Sequence, residues 1–220
     1  MRLWVTRTQP QADATAERLR KLGHEAVVQP VLETRPLAGA RIDLTGAAAI
    51  AFTSRNAVAA FEVLSAARDL PVFTTGEATA QAARAIGFLR VEPADGGVEA
   101  LAGLIAARRP AGIVVWPNAK EPAGDLAALL VPIGVTVRAQ PVYETVATGP
   151  RVPAGIDGVL IHSPKAARIV AGVLEARTAR ELVLFAISAA AATPLAGLEF
   201  RRVVIATSPD EAAMMQAVTG

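Results

Sequence analysis

The hexamer QPVLET at 29–34 returns as QPVYET at 140–145, changed only where Leu32 becomes Tyr143. Each copy follows a strand-like run, a helical stretch, a glycine (Gly23, Gly134) and a second strand-like run. Each is followed by an apolar run that ends in a serine, Ser54 or Ser163. Agreement of both the hexamer and its flanks points to duplication of a single unit. Throughout the chain, short β-branched or apolar runs alternate with alanine-rich stretches of helical period, the pattern of parallel strands joined by crossover helices. The fold class is therefore α/β, with strands expected at 3–6, 25–28, 48–53, 71–73, 112–116, 136–139, 158–162, 182–186 and 202–206.

Proline places the repeats. Both hexamers carry one near the start, and Pro36 and Pro150 follow them, which suits extended linkers better than central sheet strands. Linkers at these positions would divide the chain into a discontinuous domain, 1–34 with 142–220, and an inserted one, 35–141. Pro10, Pro122 and Pro209 suit first helical positions, Ser208 suits a cap ahead of Asp210 and Glu211, and Gly23, Gly87 and Gly134 suit helix C-termini.

Composition excludes several classes of function. Lys and Arg number 22 against 20 Asp and Glu, for a formal charge of +2. The basic residues are scattered, and one Tyr with six Phe gives few stacking platforms, so no nucleic-acid partner is expected. The absence of cysteine removes disulfides, thiolate metal sites and cysteine nucleophiles, and fits a cytoplasmic setting. No apolar run reaches the roughly 18 residues of a membrane span, and the first residues lead into a strand rather than a signal peptide, so no membrane partner is expected.

In open parallel sheets, ligands bind beyond the carboxyl ends of the strands, where helix N-termini present unpaired N–H groups. The turns expected there read VTRTQP, FTSRNA, FTTGEAT, WPNAKEP, IHSPKA, AISAAA and ATSPDE. They collect hydroxyls, amides and single cations, a chemistry that suits carboxylate or phosphate. Arg7, Arg55, Lys120 and Lys165 are candidate contacts on charge. Hydrolase chemistry is disfavoured: His162 adjoins Ser163, neighbouring strand residues face opposite ways, and no nucleophile-elbow glycines surround either serine. Two distant histidines make a poor metal site, and no glycine-rich phosphate loop is present. A non-catalytic two-domain small-molecule binding or sensor protein is the rival reading.

The segments VTRTQPQADATAERLRKLGHEAVVQPVLET, FTSRNAVAAF, TTGEATAQAARAIGF, QPVYET and IHSPKAARIV, in this order, resemble the uroporphyrinogen-III synthase family along nearly the whole chain. The resemblance implies two similar flavodoxin-like or Rossmann-like domains, each a parallel sheet flanked by helices. They would be joined by a two-stranded β linker, with the active-site cleft between them. It implies a lyase in tetrapyrrole biosynthesis that needs no cofactor or metal. Its substrate would be hydroxymethylbilane, a linear polycarboxylate tetrapyrrole, closed with loss of water and inversion of the last pyrrole, ring D. A transient contact with hydroxymethylbilane synthase (porphobilinogen deaminase) and a monomeric state are further expectations.

Tyr143, the only tyrosine, matches the linker tyrosine of the family and is the candidate catalytic donor. Ser54 and Asn56 match its Ser-x-Asn turn, Ser163 the equivalent serine of the other domain, and Gly76 and Thr79 its glycine turn. The second glycine turn departs from the pattern. Ser188 stands at the turn, the alanines 189–192 follow, Thr193 is displaced and Glu199 lies near the place of the later glycine. Hydroxyl contacts from that turn are therefore in doubt.

Overall fold

The apolar runs form eleven strands, and the alanine-rich intervals form nine α-helices with two short 3-10 turns. The computed structural model describes all 220 residues. In chain order the elements are β1 (Arg2–Val5), α1 (Gln11–Lys21), β2 (Glu25–Val28), β3 (Leu32–Pro36), β4 (Ala47–Phe52), α2 (Arg55–Leu64), β5 (Val72–Thr74), α3 (Glu77–Ala85), β6 (Val91–Pro93) and α4 (Val98–Arg108). They continue with β7 (Ile113–Ala119), α5 (Leu126–Leu130), β8 (Val137–Ala147), β9 (Gly158–Ile161), α6 (Pro164–Val173), α7 (Ala176–Ala179), β10 (Val183–Ala186), α8 (Ala189–Ala192), β11 (Arg202–Ile205) and α9 (Glu211–Thr219).

The chain divides into two compact units, Met1–Glu33 with Val146–Gly220, and Thr34–Thr145. In the first, five parallel strands lie in the order β11-β10-β9-β1-β2. Their period of two sends alternate residues to opposite faces. Trp4, Val159, Ile161 and Leu184 pack on one side with Ala166, Ala167 and Val170 of α6. Leu3, Val5, Leu160 and Phe185 pack on the other with Leu19 of α1 and Met214 of α9. Gly158 opens β9 because no larger residue fits: a Cβ there would lie 2.8 Å from the Val183 carbonyl oxygen.

The second sheet runs β3-β8-β7-β4-β5-β6. Its β4, β5, β6, β7 and the start of β8 are parallel. One face packs Ala49, Ala51, Val114 and Trp116 against Leu101 and Ile105 of α4, and the other packs Ile50 and Phe52 against Val58 and Phe61 of α2. β3 and β8 run antiparallel: the amide of Leu37 donates to the Val142 carbonyl, Thr34 faces Thr145, and the amide of Thr148 donates to the Val31 carbonyl. The sixth residues of the two hexamers therefore meet side by side.

Several expectations need correction. The second crossing was expected at 141–142, yet the boundary follows Thr145, because Val142 and Tyr143 bury into the core of the unit Thr34–Thr145. β8 is also no pure linker. It continues through Pro141 as an interior strand, and the register against β7 shifts at Asn118 and Ala119, next to the partner of the residue that lacks an N–H. β6 was missed.

Pro10 precedes α1 at its cap position, no helix starts at Pro122, and α5 is capped by Asp125. α9 is capped by Asp210, whose Oδ1 accepts from the Ala213 amide, while the Ser208 hydroxyl donates to that same carboxylate. Gly23 does close α1: at φ +80° it lets its own amide reach the Arg20 carbonyl and that of His24 reach the Leu19 carbonyl.

Candidate functional site

Because the strands that lead into helices are parallel within each sheet, every strand-to-helix turn of a unit opens at one edge of its sheet. In the unit Thr34–Thr145, β4 ends at Phe52 and Ser54 caps α2, its Oγ accepting from the Ala57 amide at 3.1 Å. The phenol of Tyr143, on β8, is the second partner of that oxygen, with Oη 2.9 Å from Ser54 Oγ. The Tyr143 side chain is buried, 8% exposed, with its ring in the core beside Phe52 and Phe61. The polar end of an otherwise apolar ring thus meets the polar start of a helix.

The same edge carries Asn56, expected at the site, with threonines, a tryptophan and a second asparagine that were not named individually. Asn56 Nδ2 donates to Thr34 Oγ1 at 3.4 Å, and Thr34 Oγ1 lies 3.4 Å from Thr145 Oγ1. Trp116 Nε1 donates to Thr53 Oγ1 at 3.3 Å, and the Thr75 hydroxyl donates to the Thr53 carbonyl at 3.4 Å, tying the turns after β4 and β5 together. Asn118 is buried with no donor to its Oδ1. The tail of the hexamer repeat was the available signal for Thr34 and Thr145, and the strand-to-helix turns FTSRNA, FTTGEAT and WPNAKEP contain Thr53, Thr75, Trp116 and Asn118.

Lys120 follows β7, and its amide donates to the Tyr143 carbonyl at 2.8 Å. Its ammonium lies 3.4 Å from Glu144 Oε2, and Arg35 holds the other Glu144 oxygen at 2.7 Å. The hydrogen bond from Arg35, with a second from Lys120, holds the Glu144 carboxyl below its ordinary range. Arg55, the first residue of α2, is exposed. Gly76 caps α3 with extended backbone and without a side-chain hydrogen bond, and a Cβ there would meet nothing within 4 Å. Thr79 is buried, its own amide bonded to the Gly76 carbonyl at 3.1 Å. Glu77 opens this helix, paired with Arg84, which makes the turn less inviting to an anion than that of α2, whose first turn has no acid.

The other unit repeats the cap but not the phenol. Ser163 caps α6 with φ −161° and ψ 154°, against −159° and 155° at Ser54, and its Oγ accepts from Ala166 at 3.1 Å. Lys165 is half-buried in the first turn. Ser188 caps the four-residue α8 in the same way, accepting from Ala191 at 3.2 Å. Thr193 turns its hydroxyl back to the Ala189 carbonyl at 3.0 Å. Glu199 pairs with Arg180 at 2.9 Å.

Arg7 pairs with a carboxylate of the protein itself, Glu211, at 2.5 Å. Thr15 donates to the other Glu211 oxygen at 2.5 Å, Arg18 lies 3.6 Å from it, and His162 Nε2 lies 3.4 Å from Glu211 Oε2. Burial alone would raise the Glu211 carboxyl, but His162, Thr15 and Arg7 together bring it down to about 2. Burial holds the His162 ring below its ordinary range, with Glu211 opposing and Arg7 adding to the effect. At neutral pH the imidazole is therefore uncharged, and Arg7 and Thr15 keep the carboxylate ionised. His162 thus looks toward a carboxylate on α9 rather than toward Ser163.

No helix is long and apolar enough to cross a membrane. The profile of the family described as Uroporphyrinogen-III synthase HemD matches residues 13–216. Among curated protein sequences none matches the chain significantly. A crystal structure of uroporphyrinogen-III synthetase from Helicobacter pylori superposes with a TM-score of 0.68 at 18% identity, over 99% of this chain and 97% of that one. A mutant uroporphyrinogen III synthase from the extremely thermophilic bacterium Thermus thermophilus superposes with a TM-score of 0.56 at 14% identity, over 99% and 96%. At such identities the two likenesses speak for the fold.

Proposed function

The chain belongs to the uroporphyrinogen-III synthase family, enzymes of tetrapyrrole synthesis, and from that membership we propose that it closes hydroxymethylbilane to uroporphyrinogen III as a hydro-lyase, inverting ring D. Tyr143 donates its phenolic proton to the departing hydroxyl of the linear tetrapyrrole. The C–O bond breaks, water leaves, and electrons from the pyrrole nitrogen give an azafulvene-like cation. That carbon is attacked by the substituted carbon of the last ring. The spiro intermediate fragments and recloses with the ring turned over, and the proton lost as the pyrrole ring rearomatises returns to the phenolate.

The observation that carries this reading is the buried phenol whose oxygen ends against Ser54. A substrate that supplies its own electron push asks for a positioned donor, enforced geometry and exclusion of water, and no strong base. The serine-capped starts of α2 and α6 carry no acid in their first turns, which suits substrate carboxylates. We assign Ser54, Asn56, Gly76, Thr79, Ser163 and Ser188 to carboxylate and chain contacts, with Arg55, Lys120 and Lys165 as cations. Arg7 holds its own turn through Glu211. In this reading the protein works in the cytoplasm as a monomer without cofactor or metal, receives its substrate in transient contact with hydroxymethylbilane synthase, and takes no nucleic acid or membrane partner.

Supplying porphobilinogen and hydroxymethylbilane synthase to the purified protein, and resolving the ring isomers formed, tests the reaction. Inverted product is expected; the uninverted isomer alone would leave a binder in place of an enzyme. Light scattering at working concentration tests the monomer.

A further inference from the structure

Ser54 Oγ lies between two partners of different kinds, the Ala57 amide at 3.1 Å and the Tyr143 phenol at 2.9 Å. A hydroxyl has one hydrogen to give and two lone pairs to receive with. One lone pair of Ser54 is taken by the helix amide, which leaves two arrangements. Either serine gives its hydrogen to the phenol oxygen, or the phenol gives its hydrogen to serine. In the second, the phenolic hydrogen is spent inside the protein.

We propose that Ser54 is a positioning residue that donates to Tyr143, so that the phenolic hydrogen points outward to the substrate and the negative charge left on the phenol oxygen is held by a hydroxyl polarised from the start of α2. This rests on the reading of Tyr143 as the donor in ring closure. Three observations favour that direction. The amide of Ala57 draws electron density from Ser54 Oγ and makes its O–H a stronger donor. α2 begins with Arg55 and has no acid in its first turn, so its N-terminal partial charge favours negative charge on the phenol oxygen. Ser163 caps α6 with the same backbone angles and the same 3.1 Å bond, and its unit carries Leu32 where the other has Tyr143. The cap therefore forms without a phenol, and the bond to Tyr143 is an addition to it.

In the reaction the C–O electrons leave with the hydroxyl, the phenolic proton joins it to make water, and the Ser54 hydrogen bond tightens on the phenolate. The proton released on rearomatisation restores the phenol, while Ser54 keeps its own hydrogen throughout. The substrate contact assigned to Ser54 then falls to the backbone of its turn, and its hydroxyl acts through Tyr143.

Replacing the serine by residues that keep the cap separates the two roles. Ser54→Thr retains both the cap and the donor. Ser54→Asp retains the cap, since aspartate caps as well as serine, but can only accept from the phenol. Because Tyr143 is the only tyrosine, uniform 3-fluorotyrosine labelling reports on that residue alone by fluorine NMR. Ser54→Asp is expected to keep its thermal midpoint, to form fluorophenolate at a pH about one unit higher than the parent, and to lose kcat by about 10- to 100-fold, while the added carboxylate raises KM for a polyanionic substrate. Ser54→Thr is expected to recover most of what Ser54→Asp loses, with the phenolate transition back toward the parent and kcat within about threefold of it. An unchanged phenolate transition, or an unchanged kcat, in Ser54→Asp would overturn the proposal. Full activity of Tyr143→Phe would instead remove the phenol from ring closure, and with it the catalytic role of Ser54, while the fluorine titration still decides which group donates.

Discussion

Ser54 and Ser163 are nearly superimposable caps in two units of common origin, and the chemistry available at them differs because of one residue on a neighbouring strand. In the unit Thr34–Thr145 that residue is Tyr143, whose ring buries like an apolar side chain while its hydroxyl reaches Ser54. In the other unit the hexamer carries Leu32, buried among Ala166 and Ala167 of α6 with no polar end. The two edges also differ in charge. The edge that holds Ser163 has Glu211 gripped by Arg7 and Thr15 beside His162, while the one that holds Ser54 has neutral threonines and an amide nearest its cap. Duplication supplied two equivalent serine-capped helix starts, and a Leu-to-Tyr difference places a phenol at only one of them.

The strongest way to break this contrast is Tyr143→Phe, which makes the two hexamers equally apolar. It is expected to lower kcat by about 10- to 100-fold while changing KM less than about threefold, because the lost hydrogen bond strengthens only as the hydroxyl departs. Steady-state kinetics with freshly generated substrate measures this.

Removing the charge that sets the other edge apart comes next. Glu211→Gln leaves Arg7 without its carboxylate and should cost about 2 kcal/mol at neutral pH, read by urea unfolding. Its acid profile carries a sign. The folded carboxyl sits at about 2 against an ordinary 4.5, so its stabilisation is complete above about pH 4.5 and is lost as pH falls toward 2. His162 acts in the same sense from about pH 6.5 downward, because burial makes the unfolded chain the better proton binder. Thermal melts of the parent should fall with pH across this range, and those of Glu211→Gln should fall less steeply.

A finer test compares the caps themselves. Ser163→Ala should cost about 1 kcal/mol of stability through the lost cap and raise KM about threefold, with kcat kept, since no phenol depends on it. The smallest effect is expected from Lys120→Ala. Its side chain is 62% exposed and its ammonium pairs with Glu144 at 3.4 Å, so KM should rise about twofold at low salt and converge on the parent as ionic strength increases.

Much of the architecture was legible because each central strand announces itself: the apolar runs at β4, β9 and β10 are buried on both faces, as parallel strands require. β6 escaped because three half-buried residues ending in proline carry no such run. β8 was cut short because Pro141 reads as a terminus, whereas a shift in register accommodates it. At the site, Ser54, Ser163 and Ser188 could be placed at turns from strand-then-helix order, and the repeat itself singled out Tyr143 against Leu32. The capture of Arg7 could not be read, because its partner Glu211 comes from the last helix, and an ion pair between chain ends has no local signature. Pro122 and Ser208 looked like helix starts on residue type alone, but Asp125 and Asp210 took the capping role.

The discontinuity of one unit governs the order in which the protein can take shape as it is made. β1 sits in its sheet between β2 and β9, with Leu3 beside Gly158 and Val5 beside Leu160. When the first strand emerges from the ribosome, one of its two neighbours has yet to be translated, and Leu3, Trp4 and Val5 lack that side of their sheet until β9 follows. The stretch 34–145 has no such wait, since all the strands of its parallel core lie within it. Synthesis therefore passes through a stage in which the parallel core of the stretch 34–145 can be complete while β1 still lacks β9 at its side.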